Sequence, residues 1–223
     1  MRETVIIDLD GTIIKGQSQR LLLDFLFKKR IISPFQCLKI YLWFIFYKTG
    51  LAKNPENIMR YAFSFFAGKA VGEIDEIIDD FFETVLKKFI FQEMIDIINK
   101  HRKENRELLI VSNAAVIIVQ KIARFLDIKN CIGTRLEIVN NKFTGNILGD
   151  IVYGKNKIKS AVGFLTSHNL LIEDCWVYAD HISDLPLLEI ANCPIVVNAD
   201  GKLYKEAKKR NWQTLIFKKT IKI

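Results

Sequence analysis

Short apolar runs recur along this chain, each bounded by charged residues or glycine. They lie at residues 5–7, 108–111, 131–133, 176–178, 195–197 and 214–217. Their length and their flanking residues are typical of buried strands. Apolar residues at helical spacing occupy 94–105, 114–125, 156–165 and 185–190, between or after these runs. The alternation predicts an α/β fold, a three-layer, Rossmann-like parallel sheet with helices on both faces.

The stretch between the first two strands has a different pattern. Apolar residues recur at helical spacing over 20–29, 31–48, 54–66 and 74–91, and no segment has the alternation of a strand. We therefore predict that residues 15–90 form an inserted all-helical domain, and that residues 1–14 and 91–223 together form the α/β core. Alternating polarity around Asn140 and Asn141 predicts a hairpin within that core.

Composition narrows the class of protein. The chain has 223 residues, of which 50% are hydrophobic and 26% charged, as in ordinary folded proteins. Its four cysteines are scattered, so we expect neither a zinc site nor a disulfide framework, and a reducing cytoplasm is the default location. The first strand begins within a few residues of the N-terminus, so we expect no signal peptide there.

Two carboxylates follow the first strand directly. Asp8 and Asp10 are two residues apart on an extended segment and therefore point the same way, before the chain turns at Gly11. Like charges so close together shift each other's pKa, which indicates a metal site or a reaction centre. Asp180 and Asp184 follow the strand at 176–178, whose carboxyl end meets the same sheet edge. Four oxygen ligands at one edge, with room for water and phosphate, suit Mg²⁺.

Further polar residues follow the other predicted strand ends. Ser112 and Asn113 come after 108–111, where a hydroxyl and free N–H groups at a helix start would bind an anion. Taken alone, these two residues are better explained as an ordinary N-cap. Lys155 and Lys157 enter the helix at 156–165, and either ammonium could neutralise a phosphate. Their spacing alone does not choose between them.

The order of these segments resembles the four motifs of the haloacid dehalogenase superfamily. The segments are Asp-x-Asp-Gly-Thr at 8–12, the serine at 112 after a strand, Gly-x-x-Lys at 154–157 and Asp-x-x-x-Asp at 180–184. The helical insert, the stretch at 132–147 and the segment at 183–188 are similar to the phosphoserine-phosphatase-like subfamily. The resemblance covers nearly the whole chain. It implies a Rossmann-like core with a helical cap at 15–90, and a phosphatase that uses Mg²⁺.

The resemblance also implies a role for each motif residue. Asp8 would be the nucleophile that accepts the phosphoryl group, and Asp10 would act first as acid and then as base. Phosphate oxygens would be held by Thr12, Ser112, Asn113 and Lys157. The metal would be bound by Asp8, Asp180 and the carbonyl of Asp10, with Asp184 orienting its water shell. The implied substrate is a small phosphorylated metabolite such as phosphoserine, although Asn113 and His181 stand where that subfamily usually has small residues.

An apolar stretch raises a second substrate class. Eight apolar or aromatic residues run from Ile40 to Tyr47, flanked by lysines. This is far shorter than the about 20 residues that span a bilayer, so the stretch is either cap interior or a surface that docks on a membrane or an acyl chain. The membrane alternative implies a lipid phosphomonoester as the substrate.

The charge of the C-terminal segment also bears on whether the protein contacts a membrane. The formal net charge is +8, and residues 202–223 contain eight Lys or Arg and a single acid, Glu206. The simpler interpretation is a solvated helix face followed by a frayed tail, and the alternative is attraction to an anionic membrane. No nucleic-acid-binding motif accompanies the charge, so we expect no nucleic acid partner. The sequence leaves open two alternatives to a phosphatase. One is a phosphotransferase with the same aspartyl-phosphate intermediate, and the other is a non-catalytic binding module.

Overall fold

A single parallel sheet organises the protein. The computed structural model describes residues 3–48 and 63–222, which contain six strands of this sheet in the order β3-β2-β1-β6-β7-β8, every adjacent pair being parallel. These strands are β1 (Thr4–Ile7), β2 (Glu107–Ala115), β3 (Asn130–Thr134), β6 (Cys175–Ala179), β7 (Cys193–Val197) and β8 (Gln213–Leu215). A separate antiparallel hairpin consists of β4 (Leu136–Val139) and β5 (Lys142–Ile147). The predicted α/β class and the hairpin are both confirmed.

Helices cover the sheet and fill the insert. Their bounds are α1 (Ser18–Lys28), α2 (Pro34–Lys48), α3 (Val71–Thr84), α4 (Gln92–Lys103), α5 (Val116–Phe125), α6 (Lys155–Ser167), α7 (Leu185–Glu189) and α8 (Gly201–Lys209). Apolar side chains of β1 alternate between two buried clusters, Val5 and Ile7 in one and Ile6 in the other. Because both faces of the sheet are buried, the sequences of the central strands are continuous apolar runs.

The sheet topology sets where the polar strand ends meet. β1 lies between β2 and β6, with Ile7 opposite Ile110 on one side and Tyr178 on the other. The N–H of Asp8 continues this pairing by donating to the Tyr178 carbonyl at 2.9 Å. Because all three strands run the same way, the residues that follow each of them emerge at one edge of the sheet.

The stretch between β1 and β2, predicted as an insert over residues 15–90, is mainly helical in its described residues, and its two ends pair with each other. Ile14 pairs antiparallel with Ile90, and the N–H of Phe91 donates to the Ile13 carbonyl at 2.9 Å. Gly68, with φ of +79°, lies in the turn before α3. The helix predicted over 54–66 falls mainly on residues 49–62, outside the described part of the chain, and residues 64–66 form a single 3-10 turn.

Two sequence expectations are wrong in detail. Strand β2 extends through Ala115, so the helix expected from residue 114 begins at Val116. The C-terminal segment is not frayed, because Phe217 packs edge-on against Phe91 and the N–H of Ile221 donates to the Ile90 carbonyl. Glu93 accepts the N–H groups of Lys218 and Lys219 at 2.9 and 3.0 Å. Residues 217–221 are therefore docked on the segment at 90–93.

The apolar stretch forms the second half of α2. Ile40 is buried, Tyr41 is partly buried and Leu42 is exposed, while the side chains of residues 43–47 lie outside the described part of the structure. Within the described residues, every helix is too short or too polar to cross a bilayer.

Candidate active site

Lys157 links two aspartates in the interior of the site. Its Nζ lies 2.6 Å from Oδ1 of Asp8 and 2.7 Å from Oδ2 of Asp184, and all three side chains are buried. Lys157 projects from the first turns of α6, on the same buried face as Ala161 and Leu165. One ammonium thus joins the end of β1 to the loop after β6.

Asp10 is held by the start of the insert. The N–H of Ser18, the first residue of α1, donates to Oδ1 of Asp10 at 2.8 Å. Burial raises the pKa of the Asp10 carboxyl to about 6, and the hydrogen bond from Ser18 limits that rise. A carboxyl group with such a pKa can both give and take a proton near neutral pH.

Asp180 lies against the turn that follows β1. A Cβ atom on Gly11 would be 1.9 Å from Oδ2 of Asp180, so only glycine permits this approach. Gly11 also has φ of +79°, a conformation that other residues rarely adopt. Behind Asp180, its carbonyl accepts the N–H of Asp200 at 3.0 Å. The Asp200 carboxylate in turn accepts the N–H of Leu203 at 2.6 Å and caps α8.

Two buried hydroxyl groups lie near the carboxyl ends of β1 and β2, those of Thr12 and Ser112. Thr12 is fully buried, and its Oγ1 has no hydrogen-bond partner among the described residues. Ser112 is also buried, and its Oγ accepts the N–H of Ala114 at 3.1 Å, which leaves the hydroxyl proton free to donate. Ser112 is not the N-cap of α5, since that position belongs to Ala115. The ordinary-cap interpretation is therefore wrong.

Asn113 is anchored through its main chain. Its carbonyl accepts a hydrogen bond from the buried hydroxyl of Thr134 at 2.8 Å, and the same hydroxyl accepts the N–H of Val152 at 3.3 Å. Thr134 thus ties the C-terminal part of β2 to the segment before α6, the helix that carries Lys157. The side chain of Asn113 is partly exposed.

The buried charges in this region do not balance. Burial raises the pKa of Asp8 to about 7, against the opposing effect of Lys157. Burial and the neighbouring carboxylates of Asp8 and Asp184 raise the pKa of Asp180 to about 9. Burial opposes the charged form of Lys157, but the same two carboxylates outweigh it and raise the pKa of Lys157. The site therefore lacks positive charge when protein groups alone are counted.

A hard cation fits this donor chemistry. Within the described part of the chain, no three acidic, histidine or cysteine side chains form a ready-made metal cage. The donors that the resemblance assigns to a metal are the carboxylates of Asp8 and Asp180 and the carbonyl of Asp10, all oxygen atoms. Mg²⁺ commonly takes one or two carboxylates and keeps several waters, so this small set is sufficient for it.

The structure separates the two lysines that sequence spacing left open. Lys157 contacts Asp8 and Asp184, whereas Lys155 is exposed and lies in none of these contacts. His181 is half exposed, and its Nδ1 accepts the N–H of Ser183 at 3.2 Å, so it stabilises its own loop. Main-chain hydrogen bonds, which no sequence motif marks, are made at this site by Ser18, Thr134 and Asp200.

Comparison with known proteins identifies the family of this chain. A profile of haloacid dehalogenase-like hydrolases matches residues 5–189. A protein of Mycobacterium tuberculosis (strain H37Rv) named as a probable phosphatase is 30% identical over 224 residues, covering 100% of this chain and 78% of its own length. A histidinol-phosphatase of Neisseria meningitidis serogroup C is 26% identical, covering 98% of this chain and all of its own.

Solved structures share the fold. A protein of unknown function from Bordetella pertussis Tohama I superposes with a TM-score of 0.90 at 23% identity, covering 96% of this chain and 98% of its own. A phosphoserine phosphatase, solved as an analogue of its phospho-aspartyl intermediate, gives a TM-score of 0.69 at 16% identity, covering 98% and 95%. The chain therefore belongs to the haloacid dehalogenase-like hydrolases.

Proposed function

We propose that this protein is a Mg²⁺-dependent phosphomonoester hydrolase that acts through an aspartyl-phosphate on Asp8. The proposed substrate is a small phosphorylated metabolite such as phosphoserine. The observation that carries the proposal is the buried bridge from Lys157 to Asp8 and Asp184. A buried ammonium between two carboxylates at the end of a central strand is costly as a purely structural feature, since apolar residues would fill that space at least as well.

In the first half-reaction, a carboxylate oxygen of Asp8 forms a bond to phosphorus while the bond from phosphorus to the leaving oxygen breaks. Lys157 occupies Oδ1 of Asp8, which leaves Oδ2 as the attacking oxygen. The carboxyl proton of Asp10 moves to the leaving oxygen, so the product departs as a neutral alcohol. Asp10 is thereby left ionised for the next step.

In the second half-reaction, water attacks the phosphorus and the acyl-phosphate bond breaks. Asp10 takes a proton from that water, inorganic phosphate leaves, and the carboxylate of Asp8 is regenerated. An alcohol in place of water would give a phosphotransferase with the same intermediate. The released phosphate and the transferred phosphate are therefore the quantities that distinguish these two activities.

Phosphate oxygens would be held by the two buried hydroxyl groups and by Lys157. The Thr12 hydroxyl lacks a partner among the described residues, and the Ser112 hydroxyl keeps its proton free to donate. Asn113 would contribute from the C-terminal part of β2, next to Ser112. Donors that are already oriented stabilise the negative charge of the transferring group without reorganising during the reaction.

Mg²⁺ would be held by Asp8, Asp180 and the carbonyl of Asp10, with Asp184 orienting its water shell. When bound, it neutralises phosphate charge and aligns the phosphoryl group with the attacking carboxylate. The raised pKa of Asp180 supports this assignment, because it reflects negative charge that protein groups do not offset.

The test is a phosphate-release assay with Mg²⁺ on a panel of phosphomonoesters. The panel includes phosphoserine, histidinol phosphate, sugar phosphates, nucleotides and lipid phosphates, each with and without an added acceptor alcohol. We expect Mg²⁺-dependent release that is lost in Asp8→Asn while its circular dichroism stays that of wild type. Wild-type turnover in purified Asp8→Asn would refute the nucleophile. A folded protein that neither binds Mg²⁺ nor binds a phosphate mimic would instead be a binding module.

A second candidate substrate is a lipid phosphomonoester at a membrane surface. Phe35, Leu38 and Leu42 recur at helical spacing along α2 and are 65%, 56% and 41% exposed. Lys39 lies on the same helix, with its ammonium over the Phe35 ring. Exposed apolar residues with adjacent cations are typical of helices that lie on anionic lipid.

Sedimentation with anionic vesicles tests this candidate directly. Leu38→Glu should abolish binding to vesicles that contain phosphatidylserine and should lower turnover of a long-chain lysophosphatidate. Ile216→Glu is the matched control, since Ile216 is 73% exposed just beyond the edge strand β8. Equal vesicle binding by both variants would exclude the α2 surface as the docking site.

A further inference from the structure

The first turn of α1 reaches from the insert to the proposed acid of the reaction. The N–H of Ser18 donates to Oδ1 of Asp10 at 2.8 Å, across eight residues of sequence. Ser18 is fully buried, and the following turn of the helix is anchored by the buried side chains of Leu22 and Leu23. The position of the Asp10 carboxylate is thus connected to the position of a helix that belongs to the insert.

The local backbone geometry makes this donor available. Gln17, the N-cap of α1, is extended with φ of −118° and ψ of 122°, and its side chain makes no capping hydrogen bond. The first N–H groups of a helix have no partner within the helix, and they carry the positive end of its dipole. At this helix the carboxylate of Asp10 takes the role that a capping side chain usually has.

We propose that Ser18 is a positioning residue, whose main-chain N–H holds the Asp10 carboxyl group in place to protonate the leaving oxygen. The inference rests on the proposed function, in which Asp10 is the general acid. The inference goes further than that function, because it makes the orientation of the Asp10 carboxyl group depend on α1, a helix of the insert. Loss of this hydrogen bond should therefore impair protonation of the leaving group more than it impairs attack by Asp8.

Leaving-group dependence separates these two effects. An aryl phosphate such as p-nitrophenyl phosphate expels a stable anion and needs little help from an acid, whereas an alkyl phosphate needs a proton as its bond breaks. The ratio of kcat/KM for the alkyl substrate to kcat/KM for the aryl substrate measures this help. A ratio within one protein sample does not depend on the folded fraction of that sample.

Three changes at position 18 make the test specific. Ser18→Pro removes the N–H, at a first helical position where proline is tolerated and after a residue whose φ and ψ already suit a following proline. Because the proline ring also adds bulk, the second change is the isosteric α-hydroxy analogue of serine, introduced by nonsense suppression. This change replaces the N–H by an oxygen and gives the ester protein. Ser18→Ala is the matched control, since it keeps the N–H and removes a buried hydroxyl that lacks a hydrogen-bond partner among the described residues.

We expect this ratio to fall at least about tenfold in the ester and proline proteins, which is part of the about 10²-fold or larger effect of removing a general acid. The ratio should stay at the wild-type value in Ser18→Ala. An unchanged ratio in a folded ester protein would overturn the role of Ser18. Asp10→Asn identifies which idea has failed. If Asp10→Asn lowers the ratio and the ester does not, only the role of Ser18 is wrong. If Asp10→Asn also leaves the ratio unchanged, Asp10 is not the acid and the proposed mechanism fails.

Discussion

The ammonium of Lys157 lies 2.6 Å from Oδ1 of Asp8, although 149 residues separate the two in sequence. Asp184 accepts from the same ammonium at 2.7 Å, so the lysine is enclosed by two carboxylates in the protein interior. Removing one member of such a buried group leaves the others without compensation. This relationship makes Lys157 important for stability as well as for the proposed reaction.

Lys157→Met should therefore lower both stability and turnover. Breaking a buried ion pair costs about 3–5 kcal/mol, and losing one donor to transferring charge costs about 10²–10³-fold in kcat. Lys155→Met is the matched control, since Lys155 is exposed two residues away on the same helix and should change stability by no more than about 0.5 kcal/mol. Urea denaturation and phosphate release measure the two effects. Equal losses in both variants would contradict the assignment of Lys157.

Gly11→Ala should do more damage than Gly16→Ala. Both glycines have positive φ, +79° and +91°, so both substitutions introduce backbone strain of about 1–2 kcal/mol. Only at Gly11 would the new Cβ meet another group, because Oδ2 of Asp180 would be 1.9 Å away, whereas nothing lies within 4 Å at Gly16. The difference in unfolding free energy and in Mg²⁺ affinity between the variants isolates the displacement of Asp180. Identical behaviour would show that Gly11 matters only for its φ.

Mg²⁺ should raise the melting temperature of the wild-type protein. A ligand at a hundred times its Kd stabilises a folded protein by about 2.7 kcal/mol. Asp180→Asn should abolish this increase and should raise the melting temperature of the metal-free protein. Burial, Asp8 and Asp184 force the Asp180 carboxyl to take up a proton on folding near neutral pH, and an amide avoids that free-energy cost. Differential scanning fluorimetry with Mg²⁺ or with EDTA measures both changes. An Mg²⁺-dependent shift that persists in Asp180→Asn would place the ion elsewhere.

The acidic edge of the sheet was predictable because strand direction decides it. Short apolar runs alternating with helices imply parallel strands, and the residues after such strands meet at one edge. Sequence spacing alone did not choose between the two lysines, and burial in the structure does. Lys157 shares the four-residue spacing of the buried Ala161 and Leu165, whereas Lys155 lies on the exposed face.

Main-chain contacts left no comparable pattern in the sequence. Any residue except proline could donate the N–H that Ser18 gives to Asp10, so the residue type carries no signal. Asp200 precedes Gly201 and could be recognised as a helix cap, but its N–H to the Asp180 carbonyl depends on tertiary structure alone. The extension of β2 through Ala115 likewise overrides the local preference of Ser112 for a cap.

A buried histidine away from the site predicts how stability depends on pH. His101 Nδ1 lies 2.8 Å from Arg106 Nη1, and since a guanidinium only donates, Nδ1 is the acceptor. Its Nε2 then carries the proton and donates to the Tyr178 hydroxyl at 2.8 Å. Burial and the charge of Arg106 lower the pKa of His101 to about 4. Protonating this ring would remove its acceptor and place two cations side by side.

The unfolded chain, whose histidine has an ordinary pKa near 6.5, binds this proton more readily than the folded protein does. The contribution of His101 to stability is therefore fully present above about pH 6.5 and is lost as the pH falls towards 4, by up to about 1.4 kcal/mol for each unit. In His101→Gln the unfolding free energy should fall less steeply over this interval than in wild type, whatever its absolute value. His168→Gln is the control, since His168 is exposed and its variant should follow the wild-type slope. Urea denaturation at half-unit pH intervals measures the slopes, and parallel curves for wild type and His101→Gln would show that His101 does not titrate as its surroundings imply.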